Sequence, residues 1–350
     1  MINGAGFMNE EGRIQKGCEM QDFVKRREFL KKSIVGSAMA VSVLSREGKI
    51  LLAEQKQEGK SSEPAARQGR DNKLPVGKIG KVTISRLICG GNLISGWTHS
   101  RDLIYLSSLA KAYNTDEKVM ETLQICEESG VNTIIAGDAR VLNKYWKERG
   151  GRMQWIAQVG PKVDDLTSNI KRAIDSGAIG AYIHGGTSDK WVKDGRVDLL
   201  EKCVLFIKEN GLIAGIGGHS VEVPIACEKA GIKVDFYMQT LHDGNYWSAT
   251  PKEKRIEWSV DSFGPDDHDN IWSLFPQRVI EFMRKVDKPW IAFKVLAAGA
   301  IHPRDGFRYA FDNGADFICV GMFDFQVRED VIIARDILSG KLNRQRLWRG

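Results

Sequence analysis

The histidines are the residues of this 350-residue chain whose placement most directly predicts chemistry. Each ends a short apolar run or lies in the segment after one: His99, His184, His219, His242, His268 and His302. His184, His219 and His242 end three consecutive runs. If these runs are neighbouring parallel strands, about 4.8 Å apart, the three imidazoles can converge on one point.

Three converging imidazoles with an open coordination position form a known type of catalytic zinc site. The sequence therefore predicts a divalent metal ion (Zn, Mn, Fe, Co or Ni) held by His184, His219 and His242. Such an ion would activate water or polarise a carbonyl or hydroxyl group. The residues leave two alternatives open, which are acid–base chemistry by the imidazoles without a metal, and purely structural histidines.

Lys294 and Asp138 complete the predicted catalytic set with His184. Lys294 lies in the apolar run Phe-Lys-Val-Leu, where a lysine costs free energy unless it is paired or faces a polar cavity. It is predicted to be a base, an anion holder or a Schiff-base former, the alternative being a lysine that leans out to solvent. Asp138 follows the second predicted strand and is a candidate for a further ligand or an orienting partner.

Aromatic residues in long loops predict a substrate site. More than 30 residues separate the sixth strand from the helix near Pro276, and several of them are aromatic. Aromatic faces stack on sugar rings while short polar groups bind hydroxyls, although some of these aromatics are expected to form a small core instead. The predicted substrate-binding residues from these loops and from the strand ends are Trp97, His99, Arg101, Gln158, Trp247 and Gln239.

The elements that must position these residues alternate between short apolar runs and helical patterns from residue 82 onward. Eight such units in about 270 residues predict an α/β fold, a (β/α)8 or TIM barrel, with an open doubly wound sheet as the rival. In such a barrel the active site forms at the carboxyl ends of the strands, where the histidines fall. The predicted strands are Ser85–Cys89, Thr133–Ala136, Trp155–Val159, Ala181–His184, Ile213–Gly217, Phe236–Leu241, Trp290–Leu296 and Phe317–Val320.

The N-terminal region has the layout of an export signal. A basic segment containing Arg26-Arg27-Glu28-Phe29-Leu30 precedes a 12-residue apolar run and resembles a twin-arginine signal. Twelve helical residues span about 18 Å, too short for a hydrocarbon core of roughly 30 Å, so no permanent membrane span is expected. We expect a signal region over 1–44, a polar flexible linker over 45–73 and a barrel domain over 74–350, with the twin-arginine machinery as partner and a periplasmic or otherwise exported location.

Charge and cysteine content exclude several classes of function. Residues 1–76 carry 14 basic and 10 acidic side chains, which is +4 of the total net charge of +6. The barrel domain is therefore close to neutral and has no basic field suited to nucleic acid. The six cysteines show no CxxC pair, which favours buried free thiols over a metal finger or a disulfide framework.

The segment Leu74-Pro-Val-Gly-Lys-Ile-Gly-Lys-Val-Thr-Ile-Ser-Arg-Leu-Ile-Cys-Gly-Gly-Asn92 resembles the opening of aldo-keto reductases. That family begins with a short hairpin and a Ser-Arg-Leu…Gly-Gly first strand, and the weaker similarity extends to about residue 242. The resemblance implies a divergent aldo-keto reductase-like barrel. It also implies NADP as an alternative cofactor, with Gln239 near the position that contacts nicotinamide.

The family's catalytic positions are largely replaced in this chain. Its Asp, Tyr and Lys positions correspond to Ile135, Arg140 and Gln158, and only the His position is retained, as His184. Without the Tyr–Lys pair, hydride transfer to a carbonyl lacks its proton donor. A reductase built on this chain would need a non-standard donor, for which Tyr145 is the candidate.

Two glycines near the last strands predict an anion site. Gly314-Ala-Asp-Phe-Ile-Cys-Val-Gly-Met322 is similar to the last strand of many phosphate-binding barrels. In those barrels the backbone N–H groups after strands seven and eight hold phosphate. Gly299 and Gly321 are therefore the candidate phosphate- or cofactor-binding residues, the alternative being that Gly314 caps a helix and Gly321 relieves packing.

These observations give three hypotheses of function. The first is an exported TIM-barrel enzyme, metal-dependent, that hydrolyses, eliminates from or isomerises a polar, carbohydrate-like small molecule. The second is an NADP-dependent aldo-keto reductase-like oxidoreductase with a non-standard proton donor. The third is a non-catalytic periplasmic protein that binds a sugar or a phosphate.

Overall fold

The computed structural model describes residues 73–99, 103–256 and 272–350. The signal region over 1–44 and nearly all of the linker over 45–73 lie outside these residues, so export stays a prediction. Arg101, His268 and the other loop residues between 257 and 271 also lie outside them. Among the helices of the described residues, none is long and apolar enough to cross a membrane.

Eight parallel strands close into a barrel, which confirms the predicted (β/α)8 architecture. The strands pair in chain order, and the last pairs with the first of the eight, Ile318 lying opposite Leu87. A two-stranded antiparallel hairpin precedes them, as the resemblance implied. The strands are β1 Val76–Ile79, β2 Val82–Ser85, β3 Leu87–Gly90, β4 Thr133–Ala136, β5 Gln154–Val159, β6 Gly180–Ile183, β7 Ile213–Gly218, β8 Phe236–Thr240, β9 Trp290–Phe293 and β10 Phe317–Val320.

Helices cover the outside of the barrel, and three of them have no counterpart among the eight predicted units. These are α1 and α2, which follow β3, and α6, which begins directly after β6. The helices are α1 Gly91–Ile94, α2 Ile104–Tyr113, α3 Asp116–Glu128, α4 Arg140–Arg149, α5 Ser168–Asp175, α6 Gly185–Lys193, α7 Val197–Glu209, α8 Glu222–Ala230, α9 Pro276–Met283, α10 Pro303–Asp312 and α11 Asp324–Ser339.

Two apolar layers hold the barrel together. The inner layer consists of strand residues that point inward, such as Ile88, Ile156 and Phe236, and the hairpin residues Ile79 and Ile84 pack into the same cluster. The outer layer lies between the strands and the helices. The strands are buried on both faces, which explains why they read as continuous apolar runs in the sequence.

β9 is shorter than predicted, and this difference decides where Lys294 lies. The apolar run to Leu296 suggested one long strand, but the strand ends at Phe293. Lys294 has a backbone φ of 59°, a left-handed conformation that a strand cannot contain. Lys294 therefore follows the carboxyl end of its strand instead of leaning out at the opposite end of the barrel.

The C-terminal segment binds a buried carboxylate before β10. Asp316 is fully buried and accepts hydrogen bonds from Arg344 at 2.9 Å and Arg346 at 2.5 Å. It also accepts hydrogen bonds from the backbone N–H groups of Trp290 and Arg349, each at 2.9 Å. A buried carboxylate with this many donors is fully paired, so it ties the chain's last residues to β9 and β10.

Replacement of Asp316 by Asn is expected to lower the free energy of unfolding by about 3–5 kcal/mol, because it leaves two arginines buried beside a neutral amide. Denaturant unfolding followed by circular dichroism measures this change. Asp198→Asn removes an exposed partner of Arg196 and is the matched control, expected to change stability little. Equal stability of Asp316→Asn and the wild type would show that the Asp316 carboxylate does not stabilise the fold.

Candidate functional site

A cavity of about 790 Å³ occupies the carboxyl end of the barrel. Its wall includes residues at the ends of β3, β5, β6, β7, β9 and β10, which is where active sites of this architecture form. Most of the lining side chains are apolar, and no described lining residue is an aspartate or glutamate. The basic groups below the rim of this cavity, among the described residues, are His184, His219 and Lys294.

His219 is fixed by a carboxylate from a neighbouring helix. Its Nδ1 lies 2.8 Å from Oδ2 of Asp189, which belongs to α6, and both side chains are buried. Asp189 also accepts hydrogen bonds from the backbone N–H groups of His219 and Ser220 at 3.0–3.1 Å. Because Asp189 contacts Nδ1, it fixes the orientation of the ring, as the carboxylate does in catalytic Asp–His pairs.

Burial sets the protonation of this pair. It raises the pKa of Asp189 to about 8, although the two backbone N–H groups oppose the shift. It also lowers the pKa of His219 well below its ordinary value, and the positive charge of Lys294 adds to this effect. Both pKa shifts favour an Asp189–His219 pair without net charge. We therefore expect this pair to lose a proton only in mildly alkaline solution.

The end of β8 supports the backbone of His219. Gln239 donates from Nε2 to the carbonyl of His219 at 3.0 Å, and Thr240 donates its hydroxyl to the same carbonyl at 3.0 Å. Gln239 is buried and does not line the cavity. It is therefore a positioning residue, and the structure does not support the prediction that it contacts a substrate or nicotinamide.

His184 lies beside His219 in the cavity, with the ring centroids 6.4 Å apart. It follows β6 and is the residue before the first turn of α6. Gly185 permits this arrangement, since a Cβ there would lie 2.9 Å from Cε1 of His219. Burial, with His219 and Lys294 nearby, lowers the pKa of His184 to about 4, so its ring is neutral at physiological pH.

Lys294 completes the charged part of the site. Its Nζ lies 4.0 Å from the centroid of the Trp272 ring, a cation–π contact, and Trp272 in turn packs 4.8 Å from the ring of His219. The left-handed backbone at Lys294 recurs at Ala297 and Ala298 in the same loop. Backbone strain of this kind is often concentrated at functional sites.

His242 does not join the other two histidines. Its Nε2 accepts the backbone N–H of Ser273 at 3.2 Å, and its Nδ1 lies 3.1 Å from the carbonyl of Asp243. Both ring nitrogens are thus used by the backbone, and His242 does not line the cavity. No group of three residues able to hold a metal ion occurs among the described residues. The predicted metal site of His184, His219 and His242 is not assembled.

The remaining predicted residues divide between the cavity and the exterior. Asp138 is exposed and caps the backbone N–H of Arg140, and Trp247 is 84% exposed, so neither reaches the cavity. Five predicted residues do line it: Trp97, His99, Gln158, Gly299 and Gly321. Phosphate binding by the two glycines stays a prediction.

The positions that carry chemistry in aldo-keto reductases are unsuited to it here. Ile135 and Gln158 line the cavity, but Arg140 lies outside it and pairs with Asp116 at 2.8 Å. Tyr145, the alternative proton donor, is buried between helices, where it donates to Glu127, and burial raises its pKa. The geometry therefore offers no proton donor for hydride transfer at the family's position.

Sequence reasoning missed two polar residues of this site. Asp189 was hidden because α6 was not predicted, and only a helix starting at Gly185 brings it beneath His219. Tyr182 lies inside the barrel and donates to Gln158 at 2.6 Å, but its place within an apolar run concealed it. The double glycine after His184 is the signal that could have indicated a helix start.

Comparisons with known proteins support the fold and no more. No family model matches the chain, and no curated protein does so either. Two solved structures from Pseudomonas aeruginosa, each provisionally named an aldo-keto reductase, align with TM-scores of 0.53 and 0.52. In both alignments the identity is 16%, over 77% of this chain and 98% of the other. The aldo-keto reductase-like barrel expected from the sequence is confirmed as a fold.

The shifted pKa of His184 predicts a specific pH dependence of stability. In the unfolded chain His184 becomes protonated below about pH 6.5, whereas in the folded protein it becomes protonated only below about pH 4. Relative to His184→Asn, the wild type should therefore lose about 3 kcal/mol of unfolding free energy as the pH falls from 7 to 4. Denaturant titrations across this range measure the difference, and parallel curves for the two proteins would contradict it.

Proposed function

We propose that the protein is an enzyme that moves a proton at a carbon next to a carbonyl group, in an isomerisation or an elimination. The observation that carries this proposal is the contact of His219 with Asp189 at the cavity, beside a second neutral imidazole. A buried imidazole oriented by a carboxylate is suited to general-base catalysis.

The roles follow from the protonation of each group. Nε2 of His219 takes the proton from carbon, and the electron pair of the C–H bond forms the C=C bond of an enolate. Neutral His184 donates its N–H to the oxygen on which negative charge develops, and the Lys294 ammonium stabilises that charge. His219 then returns the proton to the same or a neighbouring carbon, or a leaving group departs.

The other hypotheses gain less support from the geometry. A metal-dependent reaction through three histidines lacks its third ligand, because His242 is held by the backbone. A reductase lacks a proton donor in the cavity at the family's position. A non-catalytic binder needs no oriented Asp–His pair, and the assay below separates it from the enzyme.

Hydrogen–deuterium exchange at carbon tests the proposal. In D₂O, we expect the wild type to exchange the α-protons of at least one class in a panel of 2-oxo acids, 3-oxo acids, neutral ketones and phosphorylated sugars, followed by NMR. His219→Asn should slow this exchange about 10²- to 10⁴-fold. His302→Asn is the matched control, because His302 is exposed and only caps α10.

Two outcomes would contradict the proposal. One is exchange that persists undiminished in His219→Asn. The other is binding of a panel compound without exchange by the wild type, which would support the non-catalytic binder.

The pH dependence of exchange tests the role of Asp189. The base form of the pair appears when it loses its proton, so the wild-type rate should rise with pH and level off above about pH 8. Asp189→Asn has no such ionisation and should remove this limb of the profile while lowering the rate. A rising limb that is unchanged in Asp189→Asn would show that Asp189 does not control the base.

A further inference from the structure

The cavity has two chemically different halves. His184, His219 and Lys294 follow β6, β7 and β9 and form a polar half. The wall next to β3 and β10 is largely apolar, with Leu93, Trp97, Leu106, Val320 and Phe323. Its polar side chains, Asn92, Thr98, His99 and Gln326, are hydrogen-bonded to other protein groups. The barrel order places β6 and β7 opposite β3 and β10, whereas β9 is the neighbour of β10. A ligand that fills the cavity must therefore be polar at one end and apolar at the other.

The apolar wall continues to the surface. Trp97 of this wall and Val163, which follows β5, line the cavity and are 64% and 59% exposed, so apolar side chains also border the opening. A sugar would present hydroxyl groups to this wall and leave most of them without partners. A hydrocarbon chain or an aromatic ring would instead be removed from water along its whole length.

The charge of the polar half selects the head group. Lys294 supplies positive charge beside two imidazoles that are neutral at physiological pH. The other lining lysines, Lys162 and Lys190, are exposed at the rim, where Lys190 pairs with Asp194. Among the described residues that line the cavity, Lys294 is the one lysine below the rim and none is acidic, which favours a monoanion over a dianion.

We propose that the substrate is an amphiphilic monocarboxylate, with its carboxylate at Lys294 and an apolar tail against Leu93, Leu106 and Phe323. This inference rests on the proposed function only in placing a carbonyl, next to the carboxylate, between His184 and His219. An oxo acid with a hydrocarbon or aryl tail satisfies both halves of the cavity.

Binding of inert carboxylates tests the inference without any turnover. The probes are butanoate, hexanoate and octanoate, measured by calorimetry or by the fluorescence of the cavity tryptophans. We expect the Kd to fall about fourfold per added methylene up to hexanoate. Hexanoate should bind at least about tenfold more tightly than 1-hexanol, which lacks the charge.

Variants separate the two halves of the site. Lys294→Met should abolish the preference for hexanoate over 1-hexanol and keep the dependence on chain length. Leu106→Ser should weaken octanoate binding about fivefold or more. Leu205→Ser is the matched control, because Leu205 is exposed on α7 and does not line the cavity. Circular dichroism confirms that each variant is folded.

The outcomes distinguish this inference from the proposed function. Binding that is independent of chain length, or equal for hexanoate and 1-hexanol, overturns the inference even if His219-dependent exchange is found. Hexyl phosphate bound more tightly than hexanoate overturns the choice of a carboxylate. Chain-length-dependent carboxylate binding that His219→Asn retains supports the inference even if no exchange is observed.

Discussion

The site depends on one buried contact, between a carboxylate of α6 and the imidazole that ends β7. Asp189 contacts Nδ1 of His219 and accepts hydrogen bonds from the backbone N–H groups of His219 and Ser220. A buried carboxylate is stable only with such donors, and a buried imidazole has a fixed orientation only with such an acceptor. The contact therefore joins two consecutive strand ends and fixes the orientation of the His219 ring.

The low polarity of the cavity determines what the other groups can do. His184 is kept neutral by burial and by neighbouring positive charge, so it acts as an N–H donor and not as a cation. Lys294 then supplies the positive charge in the polar half, supported by the face of Trp272. The interactions of this charge with an anion are stronger here than at the surface because little water screens them.

The architecture was predictable from the sequence, whereas the composition of the site was only partly so. Apolar runs and helical periodicity gave eight units, since each strand is buried on both faces and each helix on one. The histidines at strand ends predicted a site at the carboxyl face, and the structure places His184 and His219 in the cavity there. A sequence pattern does not show how a side chain is oriented beyond the end of its strand. This orientation separates His242, whose ring nitrogens contact backbone groups, from His184 and His219. Asp189 was missed because it reaches the site from a helix, through a contact between residues 30 positions apart in the chain.

The most direct test of the central claim is nitrogen-detected NMR of protein labelled with ¹⁵N-histidine, recorded from pH 5 to 9. The account predicts that His219 shows a slowly exchanging proton shared between Nδ1 and Asp189, and that Asp189→Ala abolishes this signal. It also predicts that His219 does not become an imidazolium in isolation near pH 6.5. A His219 that titrates there with a rapidly exchanging ring proton, in both the wild type and Asp189→Ala, would contradict the account.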